Sequence, residues 1–260
     1  MKNLGFFEDI IKNGNAGWNF MHYPASNGIE LPYQLYIPES FSDDKKYPIL
    51  LFMHGMGSVG TDGTHIYQPQ ATALRQIEAS EAYKNNVIIL APRHPKGVKW
   101  VNVERGDNKK FSTDINPQIT DWLAAAEELL DRATEYLPAD TSRIYGWGNS
   151  MGAFSLWFLC AEYPELFTAI VPVAGGGRPD TARILKDVAV FAAHGDADAT
   201  VDYMATKLMT DGMLAAGAAD AHLRTYKEKG HSIKDVFGPM GEDPEVVNWL
   251  FTRKKSAKML

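Results

Sequence analysis

A serine flanked by glycines stands in the frame Gly148-x-Ser150-x-Gly152. The preceding residues 141–147 are β-prone and end in glycine and tryptophan, which predicts a buried strand. The following residues 153–163 are apolar almost all round, which predicts a helix packed under a sheet. A turn this tight strains the backbone of the serine and leaves no room for side chains at the glycine positions. The frame is therefore a G-x-S-x-G nucleophile elbow, and it predicts Ser150 as a nucleophile at a helix N-terminus.

Serine chemistry also needs a base and an acid, and candidates for both lie downstream of the elbow. A serine hydroxyl is too weakly acidic to attack a carbonyl unaided, so an imidazole must take its proton and a carboxylate must orient that imidazole. His231 lies in a Gly-His turn after the last predicted strand and is the predicted base. Asp198 is the predicted acid, whereas Asp196 suits a bond to its own turn and Asp202 suits the N-cap of the next helix.

An oxyanion forms during acyl transfer and needs hydrogen-bond donors. In enzymes with such an elbow, one donor is the amide after the nucleophile and another comes from the loop after an earlier buried strand. These positions correspond to Met151 and to Met56, the latter in the loop His54-Gly55-Met56-Gly57. Trp100 is predicted to contact the substrate, because the irregular stretch 92–114 is long enough to shape one wall of a cleft.

Composition argues against several other kinds of site. The chain of 260 residues has a formal charge of −6, which offers no basic surface for nucleic acid. Its single cysteine, Cys160, is predicted to pack inside the helix after the elbow. The acids and histidines lack metal-ligand spacing, and the glycine-rich loop is not a nucleotide-binding motif, so neither a metal nor another cofactor is expected. His54 and His194 each precede a glycine at a strand end, which predicts loop-fixing hydrogen bonds.

Strands and helices alternate along the chain after an antiparallel opening. Residues 16–23 and 29–37 are predicted strands joined across Asn27-Gly28, a strong hairpin signal. Further strands are predicted at 47–53, 87–91, 141–147, 168–174, 188–193 and 221–226, and helices at 70–83, 116–137, 153–163, 179–185, 203–216 and 244–254. This order predicts one domain over residues 1–260: an α/β fold with a mostly parallel doubly wound sheet, antiparallel N-terminal strands, helices on both faces and no large cap domain. Active residues of such sheets gather at the carboxyl ends of the strands.

These motifs resemble those of the α/β-hydrolase superfamily. More narrowly, the chain is similar to bacterial carboxylesterases described as predicted peptidases, polyhydroxybutyrate-depolymerase-like enzymes and feruloyl esterases. The resemblance covers nearly the whole chain, through the elbow, residues 31–38, 46–55, 60–62 and 91–92, His194-Gly195-Asp196-Ala197-Asp198, Gly230-His231-Ser232 and residues 243–251. One departure is Asn149, where the group more often has a compact hydrophobic residue before the serine. The resemblance implies ester hydrolysis and leaves the ester open.

The predicted function is that of a serine carboxylesterase that works through an acyl-enzyme, for example on feruloyl or acetyl esters of plant polysaccharides. Two alternatives stay open, a serine peptidase or amidase with the same triad and a hydrolase fold kept as a binding module. The expected partner is a small or polysaccharide-linked ester, without nucleic acid or membrane. Residues 1–9 carry acids where a signal peptide needs an apolar run, so the chain is expected to be cytoplasmic, or secreted if a signal peptide has been removed.

Overall fold

An eight-stranded sheet organises the part of the chain that the computed structural model describes, which comprises residues 15–58, 60, 72–106, 108, 110–112, 118–231 and 244–255. The strands of this sheet are β1 (Gly17–Pro24), β2 (Glu30–Ile37), β3 (Tyr47–Met53), β4 (Ile88–Pro92), β9 (Ala139–Asn149), β10 (Ala169–Val173), β11 (Ala189–Gly195) and β12 (Ala221–Tyr226). Short strands β5 (Val101–Asn102), β6 (Glu104–Arg105), β7 (Phe111–Ser112) and β8 (Gln118–Ile119) form two small ladders. The α-helices are α1 (Thr72–Ala79), α2 (Asp121–Tyr136), α3 (Met151–Glu162), α4 (Tyr203–Ala215) and α5 (Pro244–Phe251), and 3-10 helices cover Met56–Ser58 and Pro179–Asp187.

The strand order in the large sheet is β1-β2-β4-β3-β9-β10-β11-β12. Strand β2 pairs antiparallel with β1 and with β4, and the remaining pairs are parallel. The hairpin between β1 and β2 closes through Gly28, whose φ of +87° suits glycine. The prediction of a mostly parallel α/β-hydrolase sheet with antiparallel N-terminal strands is thus confirmed.

Helices cover both faces of the sheet, because the central strands bury both sets of alternating side chains. In β3, Leu51 and Met53 join the core that includes side chains of α2, α3 and α4. Leu50 and Phe52, of the opposite parity, join a second core with side chains of α1 and α5. This arrangement follows from the continuous apolar run of β3, in which every residue is buried. No helix in the described part of the chain is long and apolar enough to cross a bilayer.

Three predicted helices are shorter in the structure: the helix expected over residues 70–83 ends at Ala79, and the other two are shortened for a local reason each. The helix expected over residues 116–137 begins at Asp121, because Gln118–Ile119 pair with β5 and Thr120 caps the helix by accepting from the amide of Leu123. Residues 116 and 117 lie outside the described part. The helix expected to reach residue 254 ends at Phe251, and the chain then runs along β9, where the Lys255 amide donates to the Ser142 carbonyl at 2.9 Å.

The described residues of the connection between β4 and α2 form a small wall above the carboxyl edge of the sheet. Phe111 pairs with Val201, and its amide donates to the Thr200 carbonyl at 2.8 Å. The guanidinium of Arg105 lies 4.5 Å from the centre of the Phe111 ring. The wall is thereby tied to the loop after β11, next to the predicted acid.

Candidate active site

The elbow joins β9 to α3 and holds Ser150 in a strained conformation, with φ +53° and ψ −116°. The Ser150 amide donates to the Val173 carbonyl at 2.7 Å, which anchors the turn to β10. A Cβ at Gly148 would lie 2.3 Å from the Gly152 carbonyl oxygen, and a Cβ at Gly152 would lie 2.0 Å from the Met53 carbonyl oxygen. Both glycines are therefore required by close backbone approach, and Ser150 stands at the N-terminus of α3.

Asp198 is completely buried in the loop after β11. Its Oδ1 accepts from the amides of Thr200 at 2.7 Å and Val201 at 3.0 Å. Burial alone would raise the pKa of Asp198, but hydrogen bonds from His194, His231 and the Val201 amide outweigh it and hold the pKa well below its ordinary value. Asp198 is therefore a carboxylate at neutral pH.

The two other acids of this loop have different partners. Asp202 caps α4, because its Oδ1 accepts from the Met204 amide at 3.0 Å, as its position in the sequence predicts. Asp196 Oδ1 accepts from the Glu228 amide at 2.6 Å, so it bonds the loop after β12 rather than its own turn. That bond, together with the Ala197 amide donating to the Lys229 carbonyl at 3.1 Å, docks the loop of the predicted base onto the loop of the predicted acid.

The structure brings the three predicted side chains together at the carboxyl edge of the sheet. His231 Nδ1 lies 2.7 Å from Asp198 Oδ2, and His231 Nε2 lies 2.9 Å from Ser150 Oγ. The imidazole is partly exposed, whereas the carboxylate behind it is not. With Asp198 ionised, Nδ1 carries the proton and Nε2 is free to accept the proton of the serine hydroxyl.

An open cavity adjoins the serine, and its volume with the open solvent at its mouth included is about 350 Å³. Both predicted oxyanion donors, Met56 and Met151, belong to its lining with Ser150. The other lining residues are Lys99, Val103, Phe111, Phe154 and Val201. Apart from the serine hydroxyl and the ammonium of Lys99, the lining side chains are apolar, so the cavity suits an apolar group next to the hydroxyl.

Trp100 is not where the prediction of a substrate contact requires it. Its side chain is completely buried, and its indole donates to the His54 carbonyl at 3.2 Å. The imidazoles of His54 and His94 pack against the indole, with ring centres 5.3 Å and 4.5 Å away. Trp100 therefore lies beneath the loop that carries Met56 and does not line the cavity described above, so its role is to support that loop.

Several residues that line the site escaped sequence reasoning. Lys99, Val103 and Phe111 come from the wall segment, which the sequence marked only as a stretch long enough to shape a cleft. His194 was expected to fix a loop, and it does contact Asp198 Oδ2, at 3.1 Å. In the sequence, only the separation of four residues between His194 and Asp198 indicated this contact, and a separation of four residues in a loop does not by itself predict one.

Two further features bear on other kinds of chemistry. Within the described ranges, no group of three or more histidine, cysteine, aspartate or glutamate side chains is placed to hold a metal ion. Cys160 is buried in α3, and burial raises the pKa of its thiol. A buried, protonated thiol is not a nucleophile, so Cys160 contributes to the packing of α3.

Comparison with known proteins relates the chain to esterases. The profile of the family described as phospholipase/carboxylesterase matches residues 40–237. A bifunctional acetylxylan esterase/xylanase from Neocallimastix patriciarum is 22% identical over 181 residues, which are 70% of this chain and 23% of that protein. Dipeptidyl-peptidase 5 from Porphyromonas gingivalis is 28% identical over 143 residues, 54% of this chain and 18% of that protein. The chain thus spans less than a quarter of the length of either relative.

A solved structure supports the same fold. The crystal structure of a thermostable esterase superimposes with a TM-score of 0.78 at 24% identity, covering 92% of this chain and 63% of the esterase chain. A similarity at this level of identity shows the fold.

Proposed function

Because the chain belongs to the phospholipase/carboxylesterase family, we propose that it is a serine carboxylesterase in which Ser150 attacks the ester carbonyl. His231 takes the proton of the serine and then gives it to the leaving alcohol, and Asp198 holds the imidazole in the required tautomer. The amides of Met56 and Met151 stabilise the oxyanion. The acyl-enzyme is then opened by water with the same base.

The observation that carries this proposal is the continuous hydrogen-bonded chain from Asp198 Oδ2 through His231 to Ser150 Oγ, with distances of 2.7 Å and 2.9 Å. Both distances are within the range required for proton transfer. The strained backbone of Ser150 adds support, because a non-glycine residue at φ +53° costs free energy and is retained where function requires it. The hydroxyl and both predicted oxyanion donors line one cavity.

The test compares two serine variants in α3 and its cap. Ser150→Ala should lower the turnover of p-nitrophenyl acetate by several orders of magnitude and abolish labelling by a fluorophosphonate, with unchanged unfolding in urea. Ser155→Ala is the matched control, because its buried hydroxyl only donates to the Gly152 carbonyl at 2.7 Å. Full turnover and labelling in Ser150→Ala would refute the proposal. A lack of labelling in the unmodified protein would also refute it, and would favour the alternative of a non-catalytic binding module.

For the substrate, we propose acetyl or feruloyl esters linked to plant polysaccharides. The relative from Neocallimastix patriciarum is named an acetylxylan esterase, which supports the acetyl group. Phe111 and Phe154 line the cavity and would pack on an aromatic acid. Release of acetate from acetylated xylan, compared with release of ferulate from feruloylated arabinoxylan, distinguishes the two acyl groups.

A second candidate is cleavage of peptide bonds by the same three residues. It is favoured by the similarity to a dipeptidyl-peptidase, which covers about half of this chain. An amide requires protonation of a leaving amine by His231, whereas an ester leaving group needs little assistance. A panel of p-nitrophenyl esters and dipeptide p-nitroanilides compared by kcat/KM decides between them, and a higher kcat/KM for the anilides would favour the peptidase.

A further inference from the structure

Asp198 Oδ2 contacts a second imidazole besides that of His231. His194 Nε2 lies 3.1 Å from this oxygen. His194 is at the carboxyl end of β11, and neither its side chain nor that of Asp198 has any solvent exposure. The other ring nitrogen, Nδ1, lies 2.6 Å from the hydroxyl oxygen of Thr206 in α4. Both nitrogens of a buried imidazole are thus in hydrogen-bond contact.

The contacts of His194 belong to a short chain that needs three protons. Thr206 Oγ1 lies 2.7 Å from the Gly175 carbonyl oxygen, in addition to its contact with His194. A proton must lie between each pair of atoms, because two oxygens or an oxygen and a nitrogen at such distances repel each other without one. Thr206 supplies one proton, and neutral histidine supplies one more. The indole of Trp157 also donates to the Gly175 carbonyl, at 3.1 Å, but this does not fill the contact with Thr206.

The third proton has two possible positions, Asp198 Oδ2 or His194. Asp198 already accepts hydrogen bonds at both oxygens, from two backbone amides at Oδ1 and from His231 at Oδ2. Donors on both oxygens favour the ionised carboxylate, and the pKa of Asp198 is accordingly lowered. A proton on the carboxylate would oppose all of these bonds. The proton therefore belongs to the imidazole, which donates from Nδ1 to Thr206 and from Nε2 to Asp198.

We propose that His194 is a positioning residue that carries a proton on both ring nitrogens, and therefore a positive charge, and that it shares Asp198 with His231. This rests on the proposed function of the triad. The charge of His194 balances that of Asp198, so His231 faces a nearly neutral pair instead of a lone carboxylate. Because His194 and His231 contact the same carboxylate oxygen, the positive charge of His194 opposes a second positive charge on the imidazole of His231.

Among the described residues, the elements packed around His194 are α4, β12 and β10. From α4, the ring of Tyr203 lies edge-on with centres 5.7 Å apart, and its hydroxyl is hydrogen-bonded to Thr225 at 2.7 Å. Thr225 is also the residue opposite His194 on β12, and on the other side β10 ends beside the preceding residue Ala193. Among these neighbours Asp198 is the charged group, so the charge of His194 acts mainly on the predicted acid and, through it, on the base.

The first test reads the protonation of His194 directly and needs no activity. Nuclear magnetic resonance of the protein labelled with ¹⁵N-histidine should show protons on both ring nitrogens of His194 at pH 7 to 8, with His194→Gln used to assign the signal. A single protonated nitrogen would overturn the proposal. Because this measurement is independent of turnover, it distinguishes a failure of this inference from a failure of the proposed esterase function, which Ser150→Ala tests.

The second test reads the consequence for the base. In His194→Gln the midpoint of the acid limb of kcat/KM for p-nitrophenyl acetate should move up by about one pH unit, since a charge within about 6 Å has been removed. Thr206→Val, which deletes the acceptor for Nδ1, should move it in the same direction, and Thr206→Ser should restore the original midpoint. A lower kcat with an unmoved acid limb in both His194→Gln and Thr206→Val would mean that His194 has only a structural role.

Discussion

Replacing Gly152 with alanine should separate the nucleophile from the proposed oxyanion donor at Met56. The new Cβ would lie 2.0 Å from the Met53 carbonyl oxygen, 2.5 Å from the Met53 carbonyl carbon and 3.0 Å from the His54 carbonyl oxygen. An ordinary carbon–oxygen contact is about 3.3 Å, so the end of β3 and the start of α3 must move apart by about 1.3 Å. The oxygens are backbone atoms at the end of β3 and in the residue directly after it, so no side-chain rotation can relieve this contact.

This displacement should change both the stability of the protein and its turnover. Overpacking of this kind lowers the free energy of unfolding by about 1–3 kcal/mol, and the better helix propensity of alanine returns at most about 1 kcal/mol. Met56 follows Met53 by three residues, so its amide moves with the end of β3 away from the oxyanion. A misplacement of about 1 Å in a catalytic group lowers turnover by about 10²-fold. We therefore expect a fall in kcat of about two orders of magnitude in a protein that still folds.

The assay is kcat and kcat/KM for p-nitrophenyl acetate, with active-site concentration set by fluorophosphonate titration and stability by urea unfolding. Gly212→Ala is the control, because this glycine also lies in a helix, α4, and its Cβ would meet the Ala182 side chain at 2.8 Å. That variant should lose stability and keep its turnover per active site. If Gly152→Ala retained the kcat of the unmodified protein, the close approach of β3 and α3 would not be what aligns Met56 with Ser150.

Three further changes test the electrostatics of the site and its surroundings. Asp198→Asn should lower kcat by about 10⁴-fold, because an amide stabilises the wrong tautomer of His231. Since the pKa of Asp198 is lowered in the folded state, the carboxylate stabilises the fold fully above its ordinary pKa of about 4, and this stabilisation is lost as the pH falls further. The free energy of unfolding of Asp198→Asn, measured in urea, should therefore vary less with pH below about 4 than that of the unmodified protein. Burial lowers the pKa of His54 to about 3, below its ordinary value of about 6.5. The folded protein should therefore lose stability as the pH falls from 6.5 towards 3. In His54→Gln, the slope of the free energy of unfolding against pH, measured by urea unfolding, should be smaller by about 1.4 kcal/mol per pH unit. Lys99 is the charged residue among those that line the cavity. Lys99→Met should therefore lower kcat/KM for a mono-p-nitrophenyl succinate relative to p-nitrophenyl butyrate by about threefold to fivefold, and an unchanged ratio would show that the ammonium faces solvent instead.

The sequence was sufficient for the features that depend on local pattern. The apolar run of β3 and the Asn-Gly turn between β1 and β2 predicted a buried strand and a hairpin, because side-chain burial and turn geometry act over a few residues. The glycines around Ser150 predicted the elbow for the same reason. The cap of α4 by Asp202 was also predicted, since an N-cap is a local hydrogen bond.

The tertiary structure decided the features that depend on which loops meet. Trp100 was expected in the cleft, but it lies beneath the loop of Met56, because burial of a large ring against His54 and His94 depends on the packing of two strand ends. Asp196 bonds the loop after β12, at a distance in sequence that no turn rule covers. The hydrogen-bonded chain around His194 joins the segment after β10, the end of β11 and α4, and proton counting there requires the distances between their atoms. Residue types thus predicted the nucleophile, the acid and the base, whereas the neighbours that set their charge are determined by the packing of distant segments.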